Sequence, residues 1–426
     1  MDKLLVDSWK KHLESKDATT SSKYFNIGLK ACRSSNINLK TAINREHLMP
    51  MNFSWFNPIS KKYRSDITIS PIVAFYNVGP IEPNKVLKAE GSAGSEIALV
   101  SIANELAKRG YNVYVFHGGE TNIYSVPCRD VQYLPITANK EGDLGGCGGP
   151  GFVRSFEGLV ELGEVRLDHL ILWRQRGDDD FKFNFYSKRV YLGCHDFCDV
   201  HLSFKLDACV TLTKCHQEHF QRKLPTTKHI ITCNGTMYNK DMELPKRIPK
   251  KCCYASSYAR GLNTLLNMWP TIKSAHPEAE LHIWYGRETF GVLNSDQINE
   301  IVSKIESDSS IYEHGRVSHT ELVKCIASCD FLLYPYEGKS ETFSITTATA
   351  MQVGTIPIVK KRDALCELMD IQEPDLLDNN DFLKYTIEMM NKDSHQLNKY
   401  REELKELSKD YTHEKATDGW EMAFND

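Results

Sequence analysis

Four short stretches of this sequence hold residues whose type and spacing suit chemistry on an anion. Gly91-Ser-Ala-Gly94-Ser95-Glu96 puts glycines at the start of a helix-like run. Backbone can approach a ligand closely there, and exposed helical N–H groups suit a negative charge. The spacing is neither GxGxxG nor GxxxxGK(S/T), so neither a dinucleotide fingerprint nor a P-loop is supported. In Tyr254-Ala-Ser-Ser-Tyr258-Ala-Arg260-Gly261, Arg260 falls beside a helix start. The helix dipole disfavours a cation at that end unless it meets an anion. Phosphate binding and a solvated surface arginine are equal readings of it. Tyr336-Glu337-Gly-Lys-Ser340-Glu341-Thr-Phe343-Ser344-Ile-Thr346-Thr combines acidic side chains with a helix start. Such a loop can bind sugar hydroxyls and phosphate together, although a plain helix-start charge is the commoner role for a residue like Glu341. His195-Asp196 follows the run KRVYLGC. A histidine there serves as a base, as a donor to a ligand, or simply satisfies a loop carbonyl.

These stretches need a scaffold, and the hydrophobic pattern supplies one. The runs ITISPIVAFYNVG and YNVYVFHG read as strands on either side of a helix through IALVSIANELAKRG, which ends at Gly110. Strand, helix, strand over so short a span implies a parallel crossover. LDHLILWR, KRVYLGCHD, ACVTLT and HIITCNG continue the strands of the first half. A second series begins near residue 250 with KCCYAS, LNTLLNMWPTIKSAHP and ELHIWYG. It goes on through SHTELVKCIASC with a Ser318-x-x-Glu321 capping signature, then DFLLYPY, a helix through TTATAMQVG, and TIPIVK. The fold class expected is α/β, with two Rossmann-like doubly wound domains and a crevice between them as the default ligand site. The boundaries expected are an extension over 1–65, a first domain over 66–235, a second over 236–405 and a closing helix over 406–426.

Composition narrows the function classes. With 41% hydrophobic and 25% charged residues among 426, wholesale disorder is excluded. A net charge of -4 leaves no global footprint for nucleic acid. No apolar run is long enough to span a membrane. The N-terminal stretch carries charges inside its apolar part and reads as a poor signal peptide. Its Leu4, Leu5, Trp9 and Leu13 stripe suits packing on protein better than resting on a membrane surface. The 13 cysteines include no CxxC pair, which argues against a zinc site and for thiols in a reducing compartment. The location expected is cytoplasmic, with membrane-peripheral association as the second option.

Taken in order, four segments resemble the GT-B glycosyltransferases, in the retaining, Glu-x7-Glu, family-four-like branch. They are GSAGSEIALVSIANELAKRGYNVYVF, RVYLGCHD, ASSYARGLNTLLNMWPTIKSAHPEAELHIWYG and SCDFLLYPYEGKSETFSITTATAMQVGTIPIV. The resemblance covers roughly residues 67–426. It implies two domains facing a central cleft, with the C-terminal helix crossing back to the first. It also implies a nucleoside-diphosphate sugar, UDP or GDP, as donor and a glycan or small molecule as acceptor. On this resemblance His195, Arg260 and Glu341 take the catalytic roles. Gly94, Ser95, Ser256, Tyr285, Gly286, Phe343, Ser344, Ile345 and Thr349 line the donor. His195 would support charge near the sugar 6-position, Arg260 the diphosphate, Glu341 the donor sugar, and the amides near Phe343 the phosphates. No metal or other cofactor is implied, the nucleotide sugar being a substrate. In the mechanism usually proposed for such enzymes the leaving phosphate takes the acceptor proton, so no enzymic base is needed.

Two positions depart from the pattern. Thr349 stands where the second glutamate is expected, and Ala255 stands where an upstream arginine is common. A catalytically degenerate nucleotide- or sugar-binding protein on the same fold is therefore the alternative to a retaining hexosyl- or pentosyltransferase.

Overall fold

The computed structural model describes residues 71–83, 86, 92–118, 131–135, 167–174, 187–202, 204–287, 293–338, 341–360, 362–369 and 378–425. The 1–65 extension with its apolar stripe, Gly91, the glycine-dense segment near 145, and Lys339 and Ser340 lie outside the described residues.

The first sheet holds β1 (Ile72–Asn77), β2 (Asn112–His117), β3 (Val131–Pro135), β4 (Leu167–Trp173), β5 (Ser187–Gly193), β6 (Ala208–Thr211) and β7 (Lys228–Ile231). Its order is β3-β2-β1-β4-β5-β6-β7. β1 runs parallel to β2 and β4, in register Ile72 with Asn112 and Val73 with His169. Between β1 and β2 the chain forms α1 (Gly94–Lys108), which starts inside the glycine-bearing loop rather than after it. Gly110 ends this turn at φ 94°, a left-handed conformation that glycine takes without steric cost. Every side chain of β1 is buried, and Phe75 meets Trp173 edge-to-face at 5.8 Å. Trp173 is thus a core residue.

A polar helix that the apolar pattern does not announce, α2 (Lys214–Lys223), joins β6 to β7 and buries only His216 and Phe220.

The second sheet holds β8 (Lys251–Ala255), β9 (Glu280–Trp284), β10 (Ile311–Glu313), β11 (Phe331–Tyr334) and β12 (Ile356–Val359). It is ordered β10-β9-β8-β11-β12 and parallel throughout. Its helices are α3 (Leu262–Ala275), α4 (Ser295–Ser307), α5 (His319–Ala327), α6 (Ile345–Gln352), α7 (Ala364–Leu368), α8 (Asn379–Met390) and α9 (Ser394–Ser408), and α10 (His413–Asn425) follows them in the chain. Leu265, Trp269, Ile283, Leu333, Ile358 and Phe382 belong to one continuous apolar core between the sheet and these helices. Cys252 joins that core and Cys253 a second one with Trp284, Val323 and Ile326, and both, fully buried, act as small hydrophobes.

Ser318 caps α5 by accepting the Glu321 N–H at 3.1 Å, which is the serine half of the expected box. Full capping boxes form instead at Asn294 with Gln297 and at Asp393 with Gln396. The last helix, α10, lies against β6 and β7: Thr232 Oγ1 donates to the Ala416 carbonyl at 2.9 Å, and Trp420 is buried.

The chain forms two compact units. One is made of Met1–Asn84, Ala103–Leu192 and Val200–Asp207. The other is made of Lys85–Ile102, Gly193–Asp199 and Ala208–Asp426, and it contains every site residue discussed below.

Candidate functional site

The order of the second sheet reverses between β8 and β11, which are neighbours although three crossovers separate their places in the chain. In open α/β sheets ligands bind beyond the carboxyl ends of strands at such a switch point. The loops leaving β8 and β11 are the ones that carry Arg260 and Glu341.

Arg260 closes a 3-10 turn over Tyr258–Arg260, and Gly261 then opens α3 at φ 116°. A Cβ on Gly261 would fall 2.5 Å from the Pro335 carbonyl oxygen, so only glycine lets the two loops come this close. The approach is sealed by the Glu337 N–H, which donates to the Arg260 carbonyl at 3.4 Å.

Glu341 is buried while the Arg260 side chain is 45% exposed. Arg260 Nη1 donates to Glu341 Oε2 at 2.9 Å. Tyr334, the last residue of β11, donates its hydroxyl to the same oxygen at 3.3 Å and accepts from Ser256 Oγ at 3.3 Å. Burial pushes the Glu341 carboxyl above its ordinary value, against the pull of Arg260, the Tyr334 hydroxyl and the Phe343 N–H. Burial opposes the Arg260 charge, yet Glu341 and Tyr334 leave its pKa raised overall. The arrangement is a cation with one face on a carboxylate and the other towards solvent, ready for a second anion.

After Glu341 the chain turns into α6, where Ser344 is the N-cap and accepts from the Thr347 N–H. Gly94 lies against this turn, since a Cβ there would stand 3.0 Å from Ile345 Cδ1. The neighbouring Ser92 N–H donates to His319 Nε2 at 2.8 Å. His195, buried just past β5, enters through its backbone: its carbonyl accepts Thr342 Oγ1 at 3.0 Å. Thr213 Oγ1 donates in turn to the Thr342 carbonyl at 3.4 Å. The sequence motifs around Gly94, Ser95, His195, Ser256, Arg260 and Glu341 through Ile345 therefore converge on one region.

Tyr285 and Gly286 sit one strand away, at the end of β9, in left-handed conformations of φ 147° and 96°. The Tyr285 ring stacks beneath the Arg316 guanidinium at 5.7 Å and lies 6.5 Å from the Tyr258 ring. Thr349 is buried within α6, and its hydroxyl donates to the Ile345 carbonyl at 2.8 Å. Its hydrogen atom is thus spent inside its own helix.

Sequence reading passed over Tyr334, Thr342, Lys360 and Asp363. Lys360 follows β12 almost fully buried, with Nζ 3.6 Å from Glu337 Oε1, and burial lowers its pKa. Asp363 Oδ2 accepts the Glu341 N–H at 3.2 Å. The available signal was position alone: Tyr334 ends β11, Lys360 and Asp363 closely follow β12, and Thr342 adjoins Glu341 in the loop after β11. Among the described residues no group of three or more His, Cys, Asp or Glu side chains could hold a metal ion, and no helix is long and apolar enough to cross a membrane.

Residues 249–390 match the family model described as "Glycosyl transferases group 1". The trehalose-6-phosphate synthase OtsA is similar in structure, with a TM-score of 0.61 and 8% identity over 84% of this chain and 99% of that one. The fold is GT-B. A pneumococcal O-GlcNAc transferase, GtfA, solved in complex with UDP and GlcNAc, has a TM-score of 0.56 and 10% identity, covering 83% of this chain and 99% of its own. Sucrose-phosphate synthase from Thermosynechococcus elongatus has a TM-score of 0.55 and 14% identity, covering 83% and 96%. Compared with curated proteins by sequence, the chain finds no match. The Arg260–Glu341 pair and the switch point of the second GT-B sheet both fall inside the segment matched by the family model.

Proposed function

We propose that the protein is a retaining glycosyltransferase that moves a hexose or pentose from a nucleoside diphosphate, UDP or GDP, to a glycan or small acceptor. The Arg260–Glu341 pair at the β8/β11 switch point carries this reading. Departure of a nucleoside diphosphate builds negative charge, and a preorganised guanidinium beside a helix N-terminus lowers the cost of that charge. Arg260 meets the diphosphate, Glu341 accepts from hydroxyls of the donor sugar, and the amides near Ser344 and Ile345 face the phosphates. The leaving phosphate takes the acceptor proton, and the reaction runs without a metal.

Incubation with a panel of UDP-, GDP- and ADP-sugars tests the proposal. Slow hydrolysis of at least one donor, undiminished by EDTA, is expected. No hydrolysis and no binding of any donor or free diphosphate at millimolar concentration would sink it.

One observation favours a second reading, that of a binding protein without turnover. Thr349 has its hydroxyl engaged with Ile345 and lacks the two acceptor oxygens a carboxylate would offer to ribose hydroxyls. Diphosphate binding with no donor hydrolysis, unaffected by Glu341→Ala, would support that reading over the first.

A further inference from the structure

Asp363 has a backbone conformation that an aspartate adopts only under constraint: φ is 48° and ψ is -127°. This region is open to glycine and sparsely populated by residues with a Cβ. Two hydrogen bonds account for the constraint. Asp363 Oδ2 accepts the Glu341 N–H at 3.2 Å, and the next residue, Ala364, donates its N–H to the Glu341 carbonyl at 3.2 Å. Both backbone polar groups of Glu341 are therefore held by two consecutive residues at the mouth of α7. The far end of that short helix is fixed as well, since the Glu367 carboxylate accepts the N–H groups of Lys214 and Cys215 at 2.7 and 2.8 Å. A glycine at 363 would relieve the strain but would bring no carboxylate to the Glu341 amide.

We infer that Asp363 is a positioning residue, holding Glu341 in the pose that meets Arg260 and the donor sugar, with local backbone strain as its cost to the fold. The inference rests on the transferase reading only for what Glu341 then contacts. Asp363 does not touch substrate. Its carboxylate fixes the main chain from which Glu341 projects, while Arg260 and Tyr334 fix the far end of the side chain.

The test compares Asp363→Gly and Asp363→Asn in the full chain by amide hydrogen exchange at Glu341, thermal melting, and turnover of whichever sugar nucleotide the wild type hydrolyses. Asp363→Gly is expected to melt at the wild-type temperature or above it, because strain is released. Exchange at the Glu341 amide should quicken by about tenfold or more, as one hydrogen bond is lost. Its kcat should fall roughly tenfold, with donor KM changing much less. Asp363→Asn keeps a side-chain oxygen and should remain near the wild type in exchange and turnover. Unchanged exchange at Glu341 in Asp363→Gly would overturn the inference. So would full turnover despite faster exchange, or a general loss of stability with exchange quickened across the whole domain. If the wild type turns over no donor, the transferase reading fails by itself, and the exchange and melting measurements still decide the role of Asp363.

Discussion

Arg260 and Glu341 stand 81 positions apart in the chain, yet Nη1 of one lies 2.9 Å from Oε2 of the other. Their burial is unequal, because Glu341 is enclosed and Arg260 keeps nearly half of its side chain in solvent. The pair is thus a fixed carboxylate that orients an accessible cation. That asymmetry gives the two residues different mutational signatures.

For Glu341→Gln, stability and activity are expected to part company. Burial raises the carboxyl above its ordinary value of 4.5, so the folded state holds that proton more tightly than the unfolded chain does. Stability is then lost as pH rises from 4.5 through the raised folded value, and at neutral pH the ionised group is carried at a cost. Removing the charge should leave the melting temperature at pH 7 unchanged or higher. Donor turnover should fall by roughly a hundredfold, the scale of one lost electrostatic group in a preorganised site. A melting temperature clearly below wild type, measured by calorimetry, would contradict the assignment.

Arg260→Ala should weaken binding of the free nucleoside diphosphate roughly ten- to hundredfold, the worth of a hydrogen bond to a charged group. Arg260→Lys should recover part of this, because a point charge replaces a planar fork. Titration calorimetry at two salt concentrations reads both effects, and the wild-type advantage should shrink at the higher salt because the cation is half exposed. Equal affinity in all three proteins would remove Arg260 from the site.

Gly261→Ala tests the close approach of the two loops. The left-handed backbone and the 2.5 Å encounter with the Pro335 oxygen both oppose a Cβ. Destabilisation of about 2 kcal/mol or more is expected in denaturant unfolding, together with weaker diphosphate binding because Arg260 is displaced. An alanine variant as stable as the wild type would show that the loops can separate without consequence.

His216 sets an acid limit. Its Nδ1 accepts the Leu212 N–H at 3.4 Å while Nε2 faces the Asp196 carbonyl at 3.2 Å, a pairing satisfied by the neutral ring. Burial brings its pKa down from 6.5 to about 4. A folded-state value below the unfolded one means that the unfolded chain binds the proton first. Stability is therefore complete above pH 6.5 and is lost as pH falls from there towards 4. By pH 5 this single residue should remove about 2 kcal/mol. His216→Gln, which has no such titration, should lose stability less steeply between pH 7 and 5. Parallel profiles for the two proteins would refute the burial argument.

The two parallel α/β series were legible because the apolar runs of strands such as Val73–Tyr76 and Leu332–Tyr334, and the helical spacing through Leu106, depend only on near neighbours in the chain. The loops around Gly94, Arg260 and Glu341 were legible for the same reason, as glycines and charges at strand ends. Helix α2 escaped notice because it is polar on nearly every position and buries only His216 and Phe220. Asp363 escaped because its left-handed backbone and its bond to the Glu341 amide, 22 positions away, are features that no local rule at residue 363 anticipates. Sequence alone determined the elements and the residue types available at their ends. Tertiary structure decided which ends meet, since placing β11 beside β8 is a matter of sheet order, stabilised by long-range backbone pairing and a shared core. Only that order brings Arg260, from the loop after β8, to Tyr334 and Glu341 at the end of β11 and in the loop after it.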